Sequence, residues 1–286
     1  MKYDVFVTPG LPIVIRDTPP GITETVFQAT AATLIYGERD AVLVDAYMSV
    51  KQANALADWV ASKRKNLTTI YITHGHGDHW FGIGTLLERF PNAKAVATPG
   101  TVNVMRANAS PEAMARVWKP GFGDEIPTKI VMAEALATRS IDLEGNELIP
   151  VELGHTDTDL TTCLHVPSIG LVVAGDAAYN DVHLYLAESS PEKRQEWIKA
   201  LDTIESMHPR AVVASHKRPE KPDVPGIIEE TRQYIRDFDR LLPTTTTARE
   251  FYDAMLALYP TRANPGWALW SSVRAFKPLA VAASAS

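Results

Sequence analysis

Cysteine occurs once in this chain of 286 residues, at Cys163. A single thiol excludes an intrachain disulfide framework and a cysteine-rich zinc module. It is compatible with a reducing compartment, and a cytoplasmic location is expected. Cys163 sits in "LTTCLHV", which reads as a strand, so it is expected to be a small buried hydrophobe rather than a nucleophile. Long apolar runs are also missing. No segment approaches the roughly 18 apolar residues that would span a membrane, and the opening "MKYDVFVTPG" has no apolar stretch of signal-peptide length. Basic runs are equally scarce. The formal net charge is -6, and the longest such run, Lys63 to Lys65, suits the end of a helix. Neither a nucleic acid nor a membrane is therefore expected as a partner.

What is present is ordinary globular material, 45% hydrophobic and 22% charged, enough for a sizeable core. One domain over residues 1–286 is expected, since no repeat, low-complexity block or linker interrupts it. Strand-like and helix-like stretches alternate, which predicts a layered α/β architecture. "DVFVT", "LPIVIRD", "VFQATAATLIYG" and "AVLVDAY" read as early strands, the last two forming a hairpin across "ERD". Ser49 and Gln52 have capping-box spacing and open a helix to about Lys65. "LTTIYIT" and "NAKAVATP" read as buried strands. Helices start at Ser110 and Ser190, each followed by Pro and Glu. "ELIPVELG", "LTTCLHVP", "GLVVAGD" and "AVVAS" are further strands. Two helices, near 226–242 and 248–259, pack on the domain, and the small-residue tail from about 279 to 286 is expected to fray.

One stretch stands apart. "YITHGHGDHW" places His74, His76, Asp78 and His79 directly after an apolar strand, with Gly75 and Gly77 permitting a turn on which the side chains converge. Imidazole and carboxylate donors suit zinc, iron, nickel or manganese far better than calcium or magnesium. One loop cannot supply a whole site. Of the other five histidines, His155 in "VELGHTDTD" and His216 in "AVVASHKRP" also stand where an apolar strand ends, as does Asp176 in "GLVVAGD". His165 reads as a strand residue, and His208 as a surface or capping residue. Strand-end loops of layered α/β proteins are where a rigid scaffold presents chemistry, so these segments are expected to meet at one edge.

HxHxDH followed by a later His, Asp and His in that order resembles the metallo-β-lactamase superfamily, and "AVLVDAY", ending near Asp45, resembles its strand before the first helix. The likeness spans about residues 32 to 216. It implies a four-layer αββα sandwich with metals at one edge. It also implies that His74, His76 and His155 bind one divalent ion and Asp78, His79 and His216 a second, with Asp176 bridging. Two zinc ions are the expectation, with iron, manganese, nickel or cobalt as alternatives. A metal-bridging hydroxide would be the nucleophile. Asp45 would orient a ligand or its loop, or cap the turn at its strand end.

Within that superfamily the chain differs from true β-lactamases, which typically lack an aspartate where Asp176 stands. It differs from diiron flavoproteins, which carry glutamate where His76 stands. Tyr179, three residues after Asp176, has the spacing seen in dinuclear N-acyl-homoserine lactonases, which implies an oxyanion-stabilising hydroxyl; packing under the loop is the competing expectation. His183 reads as structural, with pocket lining as its alternative. The spacing of Trp267 and Trp270 in "NPGWALW" predicts packing, with a place over the pocket mouth as its alternative. Lys217 and Arg218 read either as attractors of an anionic group or as solvated loop charges. The resemblance thus implies a hydrolase of a small ester, most readily a lactone. Thioester hydrolysis of the glyoxalase II type, promiscuous β-lactam hydrolysis and an iron-dependent oxidoreductase remain alternatives. The expected partner is a small-molecule ester or lactone, and a homodimer is left open.

Overall fold

Strands buried on both faces decide the architecture, since each face then needs a covering layer. A computed structural model describes residues 1–19 and 21–279. The expected fraying of the tail therefore falls, from residue 280 onward, outside the described residues.

The first half of the sheet contains β1 (Lys2–Thr8), β2 (Thr30–Tyr36), β3 (Asp40–Val44), β4 (Asn66–Tyr71), β5 (Lys94–Ala97) and β6 (Glu134–Ala135). β1, β2 and β3 pair antiparallel, and β3 through β6 run parallel. The second half contains β7 (Ile141–Leu143), β8 (Asn146–Gly154), β9 (Thr161–Val166), β10 (Leu171–Asn180) and β11 (Ala211–Lys217). These pair antiparallel except for β10 with β11, whose crossover carries the helix Pro191–Ser206. The halves join through one position on each strand, His216 of β11 opposite Thr30 of β2.

Each half buries both faces. Val42 and Val44 of β3 turn inward with Ile35 and Tyr71, against Leu148, Leu164, Val173 and Val213 of the other half. Ala41 and Leu43 turn outward to Leu56 and Val60, on the helix Val50–Ser62. Val172, Ala174, Val212 and Ala214 likewise face Trp197, Leu201, Ile235 and Phe238, from the helices Pro191–Ser206 and Ile227–Leu241. Two sheet halves thus face each other between outer helices, the expected αββα sandwich. Leu56 is wholly buried, so its truncation to Ala would cost about 2–5 kcal/mol.

The helix starts follow the expected caps. Ser49 Oγ accepts from Gln52 N at 3.1 Å while Gln52 Oε1 accepts from Ser49 N at 3.4 Å. Ser190 Oγ accepts from Lys193 N at 3.2 Å. The helices Ile227–Leu241 and Ala248–Leu258 stand where expected. "LPIVIRD" is a correction, for it forms no strand. Pro12 offers no N–H, Ile13 N donates to Thr25 O and Val14 N to Gly121 O, so the segment's bonds diverge to two partners and no ladder propagates.

Candidate metal centre

Four segments converge where the sheet halves meet. The chain leaves β4 at Tyr71, crosses Thr73 and His74, and makes one tight 3-10 turn over Gly77–His79. Asp176 lies in β10 where its pairing with β11 is irregular between Gly175 and Tyr179. His216 lies in β11. Six of the seven expected ligands form close groups. His74, His79 and Asp176 place ligand atoms within 4.8 Å of one another, as do Asp78, His79 and His216. Asp176 reaches across both, with Oδ1 3.5 Å from His79 Nε2 and Oδ2 3.1 Å from His216 Nε2 and 3.9 Å from His74 Nε2.

His155 joins none of these groups. The third group is His74, His76 and Asp157. His155 is buried, its Nδ1 held 2.8 Å from Asp159 Oδ1. Asp157 was legible only as part of "GHTDTD", where the strand-end pattern drew attention to the histidine two residues earlier.

The rings are fixed by the nitrogen that faces away from the centre, as ligating imidazoles usually are. His79 Nδ1 meets Asp45 Oδ2 at 3.0 Å, His74 Nδ1 meets Thr73 Oγ1 at 3.1 Å, and His216 Nδ1 meets the carbonyl of Ala29 at 3.0 Å. His76 Nε2 meets Glu188 Oε1 at 3.2 Å, leaving Nδ1 turned inward. Asp45 both orients a ring and organises its loop. Its carboxylate accepts from Thr73 N and Oγ1 at 3.0 Å and from Ser215 Oγ at 3.1 Å, and its own φ is 64°.

The glycines act differently from expectation. Neither Gly75 nor Gly77 adopts a positive φ. Instead, a Cβ on Gly75 would lie 2.4 Å from Val104 Cγ1, and one on Gly77 would lie 2.5 Å from the Phe81 ring. Close packing, rather than backbone freedom, requires them.

Whether these residues fit a metal can be read from the atoms they leave over. His74 Nε2, Asp78 Oδ2, His79 Nε2, His155 Nε2, Asp157 Oδ2 and Asp176 Oδ1 are buried and find no hydrogen-bond partner among the described residues. Each such atom costs about 1–3 kcal/mol when left unsatisfied; five belong to the convergent groups and the sixth to His155, whose Nδ1 is held by Asp159. Cations satisfy them together, so the donor set fits. Burial lowers His79, but the carboxylates of Asp78, Asp176 and Asp45 outweigh it and hold the ring well above its usual range. His216, buried beside Asp176 and Asp78, is raised to about 10. Burial and the neighbouring His79 lower His74. Protons and cations compete for these nitrogens.

A cavity of about 750 Å³ opens onto the centre. His76, Asp78, Asp157, Asp176 and His216 line its floor, and Ile13, Phe27, Trp118, Phe122, Tyr185 and Trp267 its walls, with Arg16, Arg116 and Arg274 also lining it. Trp267 stacks on Tyr185 at a 9° interplanar angle, so it lines the pocket where packing alone was favoured. Trp270 packs edge-on to Tyr252 instead. Tyr179 is fully buried against Trp197 and His216, and its hydroxyl donates to Asp176 Oδ2 at 3.3 Å. Burial and then Asp176 keep that phenol protonated. His183 is a buried structural residue with Nδ1 2.9 Å from Tyr234 Oη, lowered to about 3 by burial and Arg262. Lys217 is buried and paired with Asp223, and Arg218 lies 3.2 Å from Asp181, so both charges are engaged within the protein. Cys163 is wholly buried and its thiol is pushed up to about 12 by burial, as an inert packing residue would be. Beyond Asp157, the sequence reading missed Glu188 and Tyr185, which sit in no recognisable motif.

Comparison with known proteins places this geometry in context. A family model described as the metallo-beta-lactamase superfamily matches residues 26–216. A metallo-beta-lactamase family protein of Thermus thermophilus superimposes with a TM-score of 0.63 at 20% identity, covering 94% of this chain and 92% of that one. The metallo-beta-lactamase of Pontibacter korlensis gives 0.59 at 15% identity, covering 82% of this chain and all (100%) of that one. At such identities the likeness concerns the fold. Among curated proteins, hydroxyacylglutathione hydrolase of Francisella tularensis subsp. holarctica is 37% identical over 67 residues, 23% of this chain and 25% of that protein. The chain thus spans about a quarter of the length of the curated relatives it matches.

Proposed function

The chain belongs to the metallo-beta-lactamase superfamily, whose members are mostly metal-dependent hydrolases, and from that premise we propose that it is a dinuclear hydrolase opening a small carbonyl ester, most readily a lactone. The observation that carries this reading is Asp176. Its two oxygens reach toward both groups of histidines at the floor of a largely apolar cavity. Two divalent ions, zinc by preference, would be held by His74, His76 and His155 on one side and by Asp78, His79 and His216 on the other, with Asp176 shared between them. When bound, they supply Lewis acidity and a water of lowered pKa.

The residues do the rest. The walls formed by Ile13, Phe27, Trp118 and Trp267 exclude water and hold an apolar acyl or ring portion, which fixes the carbonyl at the floor. Asp78 faces the cavity and is placed to take the proton of the attacking water and return it to the departing alkoxide. Tyr179 holds Asp176 through its hydroxyl rather than reaching the substrate. The small molecule is the partner, in the cytoplasm. Among the described residues, no helix is long and apolar enough to cross a membrane.

A second reading, thioester hydrolysis, is favoured by the partial likeness to hydroxyacylglutathione hydrolase. A panel of homoserine lactones, S-lactoylglutathione, a carbapenem and aryl esters, assayed beside elemental analysis, separates the two. Lactone or ester turnover that is abolished by chelators and restored by metal is expected. Faster cleavage of the thioester would select the second reading. One iron per chain with oxygen consumption would overturn both.

A further inference from the structure

Resting on the reading of an ester carbonyl held at the cavity floor, we propose that Arg16 is a specificity-determining residue at the cavity mouth. The substrate then carries a carboxylate at that end, separated from the scissile carbonyl by an apolar body. Charge is distributed unevenly along the cavity. Its acidic lining residues, Asp78, Asp157, Asp176 and Glu188, surround the histidines of the floor. Its arginines come from elements remote from that centre. Arg16 lies in the segment before β2, Arg116 in the helical turn Met114–Trp118 and Arg274 in the helix Trp270–Phe276.

The three guanidinium groups are not equivalent. Arg274 is engaged, donating to the carbonyl of Arg16 at 2.7 Å and to Asp17 Oδ2 at 3.2 Å. Arg116 lies 2.8 Å from Glu112, but the two side chains are 77% and 71% exposed, and a pair in that setting holds its members weakly. Arg16 is exposed and has no acidic partner among the described residues, the adjacent carboxylate of Asp17 being taken by Arg274. Its surroundings separate it from an ordinary solvated arginine. Val14, two residues before it, and Val117, beside Arg116, line the same mouth and remain 76% and 54% exposed. Apolar side chains left open around a concave, aromatic-walled site mark a ligand contact. The backbone that carries Arg16 is also tethered. Val14 N donates to Gly121 O, Arg274 to Arg16 O and Trp270 Nε1 to Asp17 O, so less ordering is left to be lost on binding. One unpaired guanidinium matches one carboxylate, which it can grip through two parallel N–H···O bonds.

The test uses two 4-nitrophenyl esters of equal chain length, one ending in a carboxylate and the other in a neutral primary amide. The two ketones in which a methylene replaces the ester oxygen serve as uncleaved ligands. Wild type, Arg16→Ala and Lys199→Ala are compared, the last removing an exposed positive charge outside the cavity. The wild type is expected to favour the carboxylate ester by at least about 10-fold in kcat/KM, with the difference in KM, as a hydrogen-bonded charge provides. In Arg16→Ala the preference should fall below about twofold, whereas Lys199→Ala should keep it. The ketones are titrated through tryptophan fluorescence, since Trp118 and Trp267 line the cavity, and should show the same Arg16-dependent preference in Kd. Cleavage of both esters without preference, or a preference that survives in Arg16→Ala, would overturn the assignment. Ketones that bind without that preference, or do not bind, would overturn it as well. Failure to cleave either ester while the ketones keep the Arg16-dependent preference would overturn the hydrolase reading and leave the assignment standing.

Discussion

The loops at 74–79 and 155–159 make the same promise in the sequence, a histidine where an apolar strand stops. They keep it differently. In the first loop all four polar residues reach the centre, because a single 3-10 turn closed on Asp45 and packed against Val104 and Phe81 leaves each side chain one direction. In the second, an internal network of Thr156, Asp157 and Thr161 sends the aspartate inward, with Thr156 Oγ1 2.9 Å from Asp157 Oδ1 and 3.0 Å from Thr161 Oγ1. The histidine gives its Nδ1 to Asp159 and keeps a buried, unpartnered Nε2. A short-range motif is reliable when the turn that carries it is itself dictated locally. It is incomplete when hydrogen bonds to the next strand bring a neighbouring residue to the same edge, as they do Asp157.

That contrast can be broken at four places. Replacing His79 with Ala removes a ring shared by two of the three groups. It should cost the chain an ion and lower kcat/KM by more than the roughly 100-fold that losing a ligand's neighbour can cost; elemental analysis beside the ester assay checks this. Asp45→Asn leaves every ligand in place but puts an amide where His79, Thr73 and Ser215 all need an acceptor. Metal affinity, measured by chelator competition, should fall about 10–100-fold. Asp159→Asn makes the equivalent change behind His155. Because Asp159 is exposed and also paired with Lys193, affinity should fall, but by less than for Asp45→Asn; an unchanged affinity would count against His155 as a ligand.

The smallest effect belongs to a site remote from both loops. Glu144, in the turn between β7 and β8, accepts from the backbone N–H groups of Glu38, Arg39 and Asp40 at 2.8, 2.6 and 2.7 Å. It thereby ties the second sheet half to the hairpin of the first. These bonds lower its pKa from 4.5 to about 2. A depressed carboxyl contributes stability that is complete above its unfolded value and is lost as pH falls toward the folded one. The Tm of the wild type should therefore fall more steeply than that of Glu144→Gln between about pH 4.5 and pH 2. Parallel curves would show that the contact carries no net stability.

Much of the architecture was legible in the chain. β2 and β3 with their "ERD" turn, the capping box at Ser49, and the strand ends at His74, Asp176 and His216 are all written within a few residues of themselves. "LPIVIRD" was not, because its alternation is a strand's while its backbone partners, Thr25 and Gly121, are chosen by the wall of the cavity. Tyr179 was not either, since spacing places it near Asp176 but only packing against Trp197 turns its hydroxyl to that carboxylate.

The sequence by itself determined that strands and helices alternate in layers and that polar residues gather at strand ends, because turn signals and a strand-end HxHxDH loop are local properties; the αββα arrangement was what the family resemblance implied. Tertiary structure alone decided the place of Asp157, the seat of Glu188 on His76 and the stacking of Trp267 on Tyr185. Each of those depends on which side chain faces a cavity between elements distant in the chain, and a hydrogen bond to a neighbouring strand can settle that against any pattern written along the chain itself.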